Sequence, residues 1–181
     1  MRIILVLAAL LLINGAYANP LPTTDDLSDI TPERGFLARI GDVSEKVEAK
    51  ASELVINAMG FLGVPYKSGG TNGDTGFDCS GFVRSIFEQT AGLILPRSAN
   101  QQAAAAEKID RADLQPGDLV FFNTMRRAFS HVGIYVGEGN FIHAPKPGAK
   151  VRVESLSVSY WARRFDGARR VPVEAAGSSN P

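Results

Sequence analysis

The feature that most constrains this chain is the stretch at residues 76–83, GFDCSGFV, which holds its only cysteine, Cys79. Because one cysteine cannot form an internal disulfide, an apolar core must hold the domain together. Turn-forming residues precede Cys79 over 68–76, and a helix-compatible apolar run follows it over 82–89. We therefore expect Cys79 at a helix N-terminus, where the dipole and free N–H groups lower a thiol pKa and favour the nucleophilic thiolate.

The main alternative for Cys79 is a buried structural role, since free cysteines are among the most buried residue types. Its neighbours Asp78, Ser80 and Gly81 are polar or small, unlike a segment of an apolar core. The local sequence therefore favours a reactive thiol.

Residues 1–18 have the pattern of a secretory signal peptide. Arg2 supplies the positive start, residues 3–13 are apolar and uncharged, and the tripeptide ending at Ala18 fits a cleavage site. The apolar run is shorter than the roughly 20 residues that a spanning helix needs. We expect cleavage after Ala18 and a periplasmic or secreted protein with no stable membrane anchor. An uncleaved inner-membrane anchor is the alternative.

The balance of charges excludes one class of partner. The chain has 19 basic residues (Lys and Arg) and 19 acidic residues (Asp and Glu), so it lacks the basic excess typical of nucleic-acid binding. Several prolines and an acidic pair predict a flexible linker over residues 19–46. We expect one domain over residues 47–173, a disordered tail over residues 174–181, and a monomer.

Hydrophobic periodicity predicts helices first and strands afterwards. A helix is expected over residues 44–62, a second should follow Cys79 and end near Gly92, and Ser98 can cap a third over residues 100–107. The predicted strands cover residues 119–122, 130–136, 141–144 and 151–154, with a further strand over 168–173. This order predicts an α+β domain in which N-terminal helices pack on a central antiparallel sheet.

The chain's only two histidines, His131 and His143, lie on strands that a turn at residues 137–140 would pair. A symmetric turn would set His131 opposite Lys146, whereas a shifted register would pair the two histidines directly. The pattern thus permits two neighbouring imidazoles on one sheet face. If that face meets the N-terminus of the helix carrying Cys79, the three side chains can act as nucleophile, base and orienting group.

Two other roles stay open for these three residues. Cysteine and histidine are the usual ligands of zinc, although no CxxC or HExxH spacing supports a metal site. A histidine in a strand is also often a hydrogen-bonded structural residue. We expect neither a metal nor an organic cofactor.

Five segments, taken in order, resemble the motifs of the NlpC-type cell-wall peptidases, which are papain-like cysteine hydrolases of bacterial peptidoglycan. They are DCSGFV at 78–83, LPRS at 95–98, GDLVFF at 117–122, HVGIYVG at 131–137 and FIHA at 141–144. The resemblance extends from about Glu48 to Val173. The build, one domain behind a signal peptide, resembles the small periplasmic murein endopeptidases of Gram-negative bacteria. It implies the papain-like NlpC-type fold.

The resemblance implies catalytic roles for three residues. Cys79 would be the nucleophile, His131 the base and His143 the third polar residue. Tyr66 would place its hydroxyl near the oxyanion or substrate site, beside the backbone N–H of Cys79. The implied reaction is hydrolysis of stem or cross-link peptides of peptidoglycan through a thioester acyl-enzyme.

Three more residues are implied to line the substrate groove. Asp78 and Ser80 flank the nucleophile, and Arg97 could contact a substrate carboxylate or form a structural ion pair. Two alternative functions remain: a catalytically inactive wall- or protein-binding module of the same fold, and acyl or amide transfer by the same three side chains.

Overall fold

The structure is a computed structural model that describes residues 32–172. The predicted signal peptide (1–18), the first part of the predicted linker (19–31) and the predicted tail (174–181) lie outside these residues. The chain divides after Ile40 into two units, and the second contains every element that follows the first helix. Within the described residues, no helix is both long and apolar enough to cross a membrane.

The first helix, α1, is longer than predicted. It covers Pro32–Met59, so residues 32–46 are helical and the linker prediction is wrong there. Proline is well tolerated at the first helical position, because its missing N–H needs no partner and its fixed φ suits a helix. A proline that argued for an extended chain therefore begins a helix instead. Towards the other end, Leu54 and Ala58 are buried in the core.

The later elements confirm the predicted order of helices followed by an antiparallel sheet. The other helices are α2 (Cys79–Ala91), α3 (Ala99–Ala105) and α4 (Ser159–Ala162), with a 3-10 turn at Arg111–Asp113. The strands are β1 (Thr71–Asn72), β2 (Gly76–Phe77), β3 (Glu107–Ile109), β4 (Leu119–Phe122), β5 (His131–Gly137), β6 (Asn140–His143), β7 (Arg152–Ser155) and β8 (Phe165–Arg170). β1 and β2 form a small hairpin, and the other six form one sheet in the order β3-β8-β4-β5-β6-β7.

Two strands at one edge of the sheet differ from the prediction. β8 begins before the predicted 168–173 and ends at Arg170, where it pairs with Glu107 of β3. We predicted Glu107 as the end of a helix. The sequence of β8, FDGARR, has few of the β-branched and aromatic residues that mark a strand, so its start could not be recognised from composition.

The sheet separates two apolar clusters. The larger contains Val132 and Ile134 of β5 together with the inner side of α2. The smaller lies on the opposite face around Trp161. The ring of Trp161 stacks on His131 at a centroid distance of 5.5 Å and meets His143 edge-on at 5.0 Å. Both histidines therefore lie on the face away from α2.

Close packing fixes the start of α2. Asp78 is the N-cap, and its Oδ1 accepts a 2.7 Å hydrogen bond from the N–H of Gly81. A Cβ at Gly81 would lie 2.1 Å from the carbonyl oxygen of Gly70, so only glycine fits there. Gly92 ends the helix in a left-handed conformation, with φ of 67°. The prediction that Cys79 begins a helix ending near Gly92 is confirmed.

Candidate active site

Cys79 is the first residue of α2, where its side chain is partly buried. Burial raises the pKa of this thiol, and the charge of Asp78 acts in the same direction. Hydrogen bonds from the backbone N–H groups of Val132 and of the helix start oppose the rise but do not cancel it. We predicted a lowered pKa from the helix N-terminus, and burial reverses that direction. An effective nucleophile here needs a neighbouring base.

The two imidazoles are direct neighbours. Nε2 of His131 lies 2.7 Å from Nδ1 of His143. Ile134 of β5 pairs with Ile142 of β6, so the register sets His143 opposite Gly133 and diagonal to His131. The register falls between the two that we considered, and a bulge before the turn adjusts it. A Cβ at Gly133 would lie 2.7 Å from Cδ2 of Phe141 and 3.2 Å from Cβ of His143, so a side chain there would crowd β6.

The nucleophile reaches the histidines differently from the prediction. We expected the histidine face of the sheet to meet the N-terminus of α2, but α2 packs on the opposite face. Cys79 and His131 line one cavity at the start of β5, and the backbone N–H of Val132, the residue after His131, donates to the Cys79 thiol. The end of the strand, rather than its face, brings the thiol and the imidazole together.

The structure adds Glu154 of β7, which sequence reasoning did not select. Oε2 of Glu154 lies 2.7 Å from Nε2 of His143 and accepts a 3.0 Å hydrogen bond from Nε1 of Trp161. Arg152 donates to the other carboxylate oxygen at 3.2 Å. β6 pairs with β7 so that His143 faces Arg152, which brings Glu154 two residues along on the same face. The strict alternation of apolar and charged residues over 151–154 was the only sequence signal that could have pointed to Glu154.

Burial and hydrogen bonding set the protonation states of His131, His143 and Glu154. His143 has no exposed surface and His131 is 4% exposed. Burial lowers the pKa of both imidazoles, that of His131 to about 3. The hydrogen bond with His143 holds the pKa of Glu154 below its ordinary value. At neutral pH, two neutral imidazoles therefore stand beside an ionised carboxylate.

Asp78 and Arg97 form an ion pair at the start of α2. Nη1 of Arg97 donates to Oδ1 of Asp78 at 3.0 Å and to Oγ of Ser80 at 3.0 Å, while Nη2 donates to the other oxygen of Asp78. The N–H groups of Gly69 and Gly81 fill the remaining acceptor sites of the carboxylate. Of the two roles that we predicted for Arg97, this geometry favours the structural ion pair. It also engages both groove residues, Asp78 and Ser80, within the protein.

Two cavities meet at Cys79. The larger, of about 580 Å³, is lined by Tyr66 and His131, and the smaller, of about 230 Å³, by Arg97 and Arg127. Cys79 lines both. Burial and the nearby charges raise the pKa of the Tyr66 hydroxyl, so it stays protonated and can donate a hydrogen bond into the larger cavity.

Over the described range 32–172, no cluster of three or more His, Cys, Asp and Glu side chains is arranged to hold a metal ion. The facing nitrogens of His131 and His143 are bonded to each other at 2.7 Å, which leaves no room for an ion between them.

Comparison with known proteins gives the family of this domain. The sequence profile of the NlpC/P60 family matches residues 63–170. The chain belongs to the NlpC/P60 family, as its ordered motifs predicted.

Relatives and solved structures agree with this assignment. The chain is 43% identical over 129 residues to the gamma-DL-glutamyl hydrolase of Bacillus subtilis, covering 71% of this chain and 31% of that protein. It is 41% identical over 136 residues to the murein DD-endopeptidase MepH of Escherichia coli, covering 73% and 50%. The chain thus spans half or less of these two relatives.

Two crystal structures show the same fold. An NlpC/P60 family protein from Bacillus cereus matches with a TM-score of 0.62 at 38% identity, covering 66% of this chain and 39% of that one. The NlpC/P60 domain of the peptidoglycan hydrolase SagA matches with a TM-score of 0.60 at 35% identity, covering 67% and 98%. The predicted α+β fold of the NlpC type is confirmed.

Proposed function

We propose that this protein is a cysteine peptidase that hydrolyses peptide bonds of bacterial peptidoglycan. The observation that carries the proposal is the position of Cys79, where two cavities meet beside the hydrogen-bonded pair His131 and His143. This set supplies a nucleophile, a base and a group that orients the base. An inactive binding module is disfavoured, because all three side chains are present and in one connected site.

The proposed reaction begins with transfer of the Cys79 proton to His131 as the thiolate attacks the amide carbonyl. The backbone N–H of Cys79 and the hydroxyl of Tyr66 would stabilise the oxyanion that forms. His131 then returns its proton to the leaving amine, which leaves a thioester on Cys79. Attack by water on the thioester releases the acid product and restores the thiol.

The two cavities support cleavage within a peptide. Because Cys79 lines both, a bound chain can continue past the scissile bond in each direction. Arg127 lines the smaller cavity, and Lys146 and Arg152 line the larger. These cations suit a peptide that carries carboxylates on both sides of the cut bond.

The names of the relatives and the predicted signal peptide both support a peptidoglycan substrate. The relatives' names include a murein endopeptidase and a glutamyl hydrolase. Both names describe hydrolysis rather than acyl transfer. The predicted signal peptide would export the protein to the compartment that holds peptidoglycan. We propose a periplasmic or secreted location on that basis.

The test is digestion of purified cross-linked muropeptides, with the products identified by mass spectrometry. Cleavage of D-alanyl cross-links converts dimers to monomers, whereas cleavage within a stem shortens each peptide. We expect the wild-type protein to give one of these product sets and a folded Cys79→Ala variant to give neither. A Cys79→Ala variant as active as the wild type would overturn the proposal.

A further inference from the structure

Glu154 joins the two histidines in one line of hydrogen bonds. Its Oε2 lies 2.7 Å from Nε2 of His143, and Nδ1 of His143 lies 2.7 Å from Nε2 of His131. The line therefore runs from a carboxylate on β7, through a fully buried imidazole, to the proposed base beside Cys79.

An ionised carboxylate fixes the proton positions along this line. Because a carboxylate can only accept, Nε2 of His143 must carry the hydrogen, and its Nδ1 is then the acceptor in the neutral ring. That acceptor requires a hydrogen on Nε2 of His131. The unprotonated nitrogen of His131 is consequently Nδ1, the one left free to take a proton from Cys79.

The surroundings hold Glu154 in place and in its charged form. Trp161 donates to the same oxygen as His143, at 3.0 Å, and Arg152 donates to the other oxygen at 3.2 Å. The other titratable groups facing the site are Tyr66, Asp78, Cys79, Lys146 and Tyr160, all on the larger cavity. Of these, only Asp78 is a second carboxylate, and it is paired with Arg97.

We propose that Glu154 is a positioning residue that selects the tautomer of His131 through His143 and stabilises the imidazolium formed when Cys79 gives up its proton. The inference rests on the proposed function, because it assigns Glu154 a part in the same reaction. In the step itself, the Sγ–H bond of Cys79 breaks and an Nδ1–H bond forms on His131. Glu154 keeps its charge and exchanges no proton.

The chemical need for such a carboxylate follows from burial. The solvent-free setting disfavours a charge on either His131 or His143. A neutral histidine as the third member stabilises an imidazolium less than a carboxylate does. Glu154 supplies the missing negative charge one imidazole further from the nucleophile.

The test compares Glu154→Gln with Asp118→Asn. Glutamine keeps the size and an accepting oxygen but removes the charge. Asp118 is a buried carboxylate paired with Arg170 at 2.8 Å, and it lines neither cavity. Each variant is assayed for muropeptide cleavage across pH, and the alkylation rate of Cys79 by iodoacetamide is followed across the same range. Cys79 is the only thiol in the chain, so the alkylation signal is unambiguous.

For Glu154→Gln we expect kcat to fall about tenfold with KM little changed, as loss of the charge shifts the imidazolium pKa down by about one unit. The acid limb of the activity profile, set by protonation of the neutral imidazole, should move to lower pH. The alkylation rate at pH 7 should fall about tenfold, because it follows the small fraction of Cys79 present as the thiolate–imidazolium pair. Asp118→Asn should lose stability while keeping both profiles. Unchanged profiles in Glu154→Gln, or the same shifts in Asp118→Asn, would overturn the inference.

The two proposals fail in distinguishable ways. If the wild-type protein cleaves no muropeptide, the proposed function is wrong. The alkylation profiles of the wild type and Glu154→Gln still decide whether Glu154 controls the thiol, since that measurement needs no substrate.

Discussion

Two carboxylates of the site, Asp78 and Glu154, are bound in different ways. Asp78 is adjacent in sequence to Cys79 and is held by Arg97 and by the backbone N–H groups of Gly69 and Gly81. Glu154 lies on β7, an edge strand of the sheet, and is held by His143, the residue that contacts the proposed base His131.

The difference lies in what each partner can do. Arginine stays protonated at every relevant pH, so the bonds of Asp78 are fixed and hold the start of α2. Histidine changes its protonation state, so the bond of Glu154 responds to the chemistry. Closeness to the nucleophile in sequence therefore does not tell which carboxylate assists the reaction.

The largest effect should come from cutting the line between Glu154 and His131. We expect His143→Ala to lower kcat by about 100-fold, the lower range for loss of acid–base assistance. Adding Glu154→Gln to His143→Ala should cost almost nothing more, because the carboxylate then has no path to the base. Steady-state kinetics of the two single variants and the double variant measure this coupling. Full additivity of the two losses would show that Glu154 acts by another route.

A second prediction concerns stability. Asp78→Ala should lower the free energy of unfolding by about 2 kcal/mol, because it removes the N-cap of α2 as well as the partner of Arg97. Glu154→Gln should cost less, since glutamine can still accept from Trp161 and His143. Urea unfolding of both variants provides the comparison. A larger loss in Glu154→Gln than in Asp78→Ala would reverse the roles assigned to the two carboxylates.

The sequence could predict much of this site because its parts lie on strongly patterned elements. Cys79 follows a turn and opens an amphipathic helix, while His131 and His143 lie on short strands flanking a glycine-rich turn. Periodicity and turn chemistry were enough to bring these three together in outline.

Glu154 could not be found in the same way. Its bond to His143 depends on the register of β6 against β7, which the intervening loop sets. Its bond to Trp161 depends on how α4 returns over the sheet face. The extent of α1 was missed for a local reason: Pro32 is compatible both with an extended chain and with the first turn of a helix.

Stability should also depend on pH through the buried histidines. Burial holds the folded-state pKa of His131 at about 3, below its ordinary value of 6.5. The unfolded chain therefore binds more protons as pH falls below 6.5, and the folded state loses stability over that window. Each histidine contributes a slope of at most about 1.4 kcal/mol per pH unit. Unfolding free energies measured from pH 7 to 4 should fall less steeply for His131→Gln, and an equal slope would contradict this origin.

The smallest effect should come from Arg152→Gln. Arg152 is half exposed, and its pair with Glu154 is open to solvent, so its loss should change stability by less than about 1 kcal/mol. Trp161 and His143 still hold the carboxylate. We expect the activity profile to stay close to that of the wild type. A loss as large as that of Glu154→Gln would mean that Arg152, rather than the histidine contact, governs Glu154.

The most direct measurement is the alkylation rate of Cys79 against pH for Asp78→Asn and Glu154→Gln, side by side. The charge of Asp78 raises the thiol pKa, so Asp78→Asn should increase the alkylation rate at pH 7. Removing the charge of Glu154 destabilises the imidazolium of the thiolate–imidazolium pair, so Glu154→Gln should lower the alkylation rate at pH 7 about tenfold. Changes of the rate in opposite directions are the predicted result. Changes in the same direction, or an unchanged rate in Glu154→Gln, would contradict the separate roles of the two carboxylates.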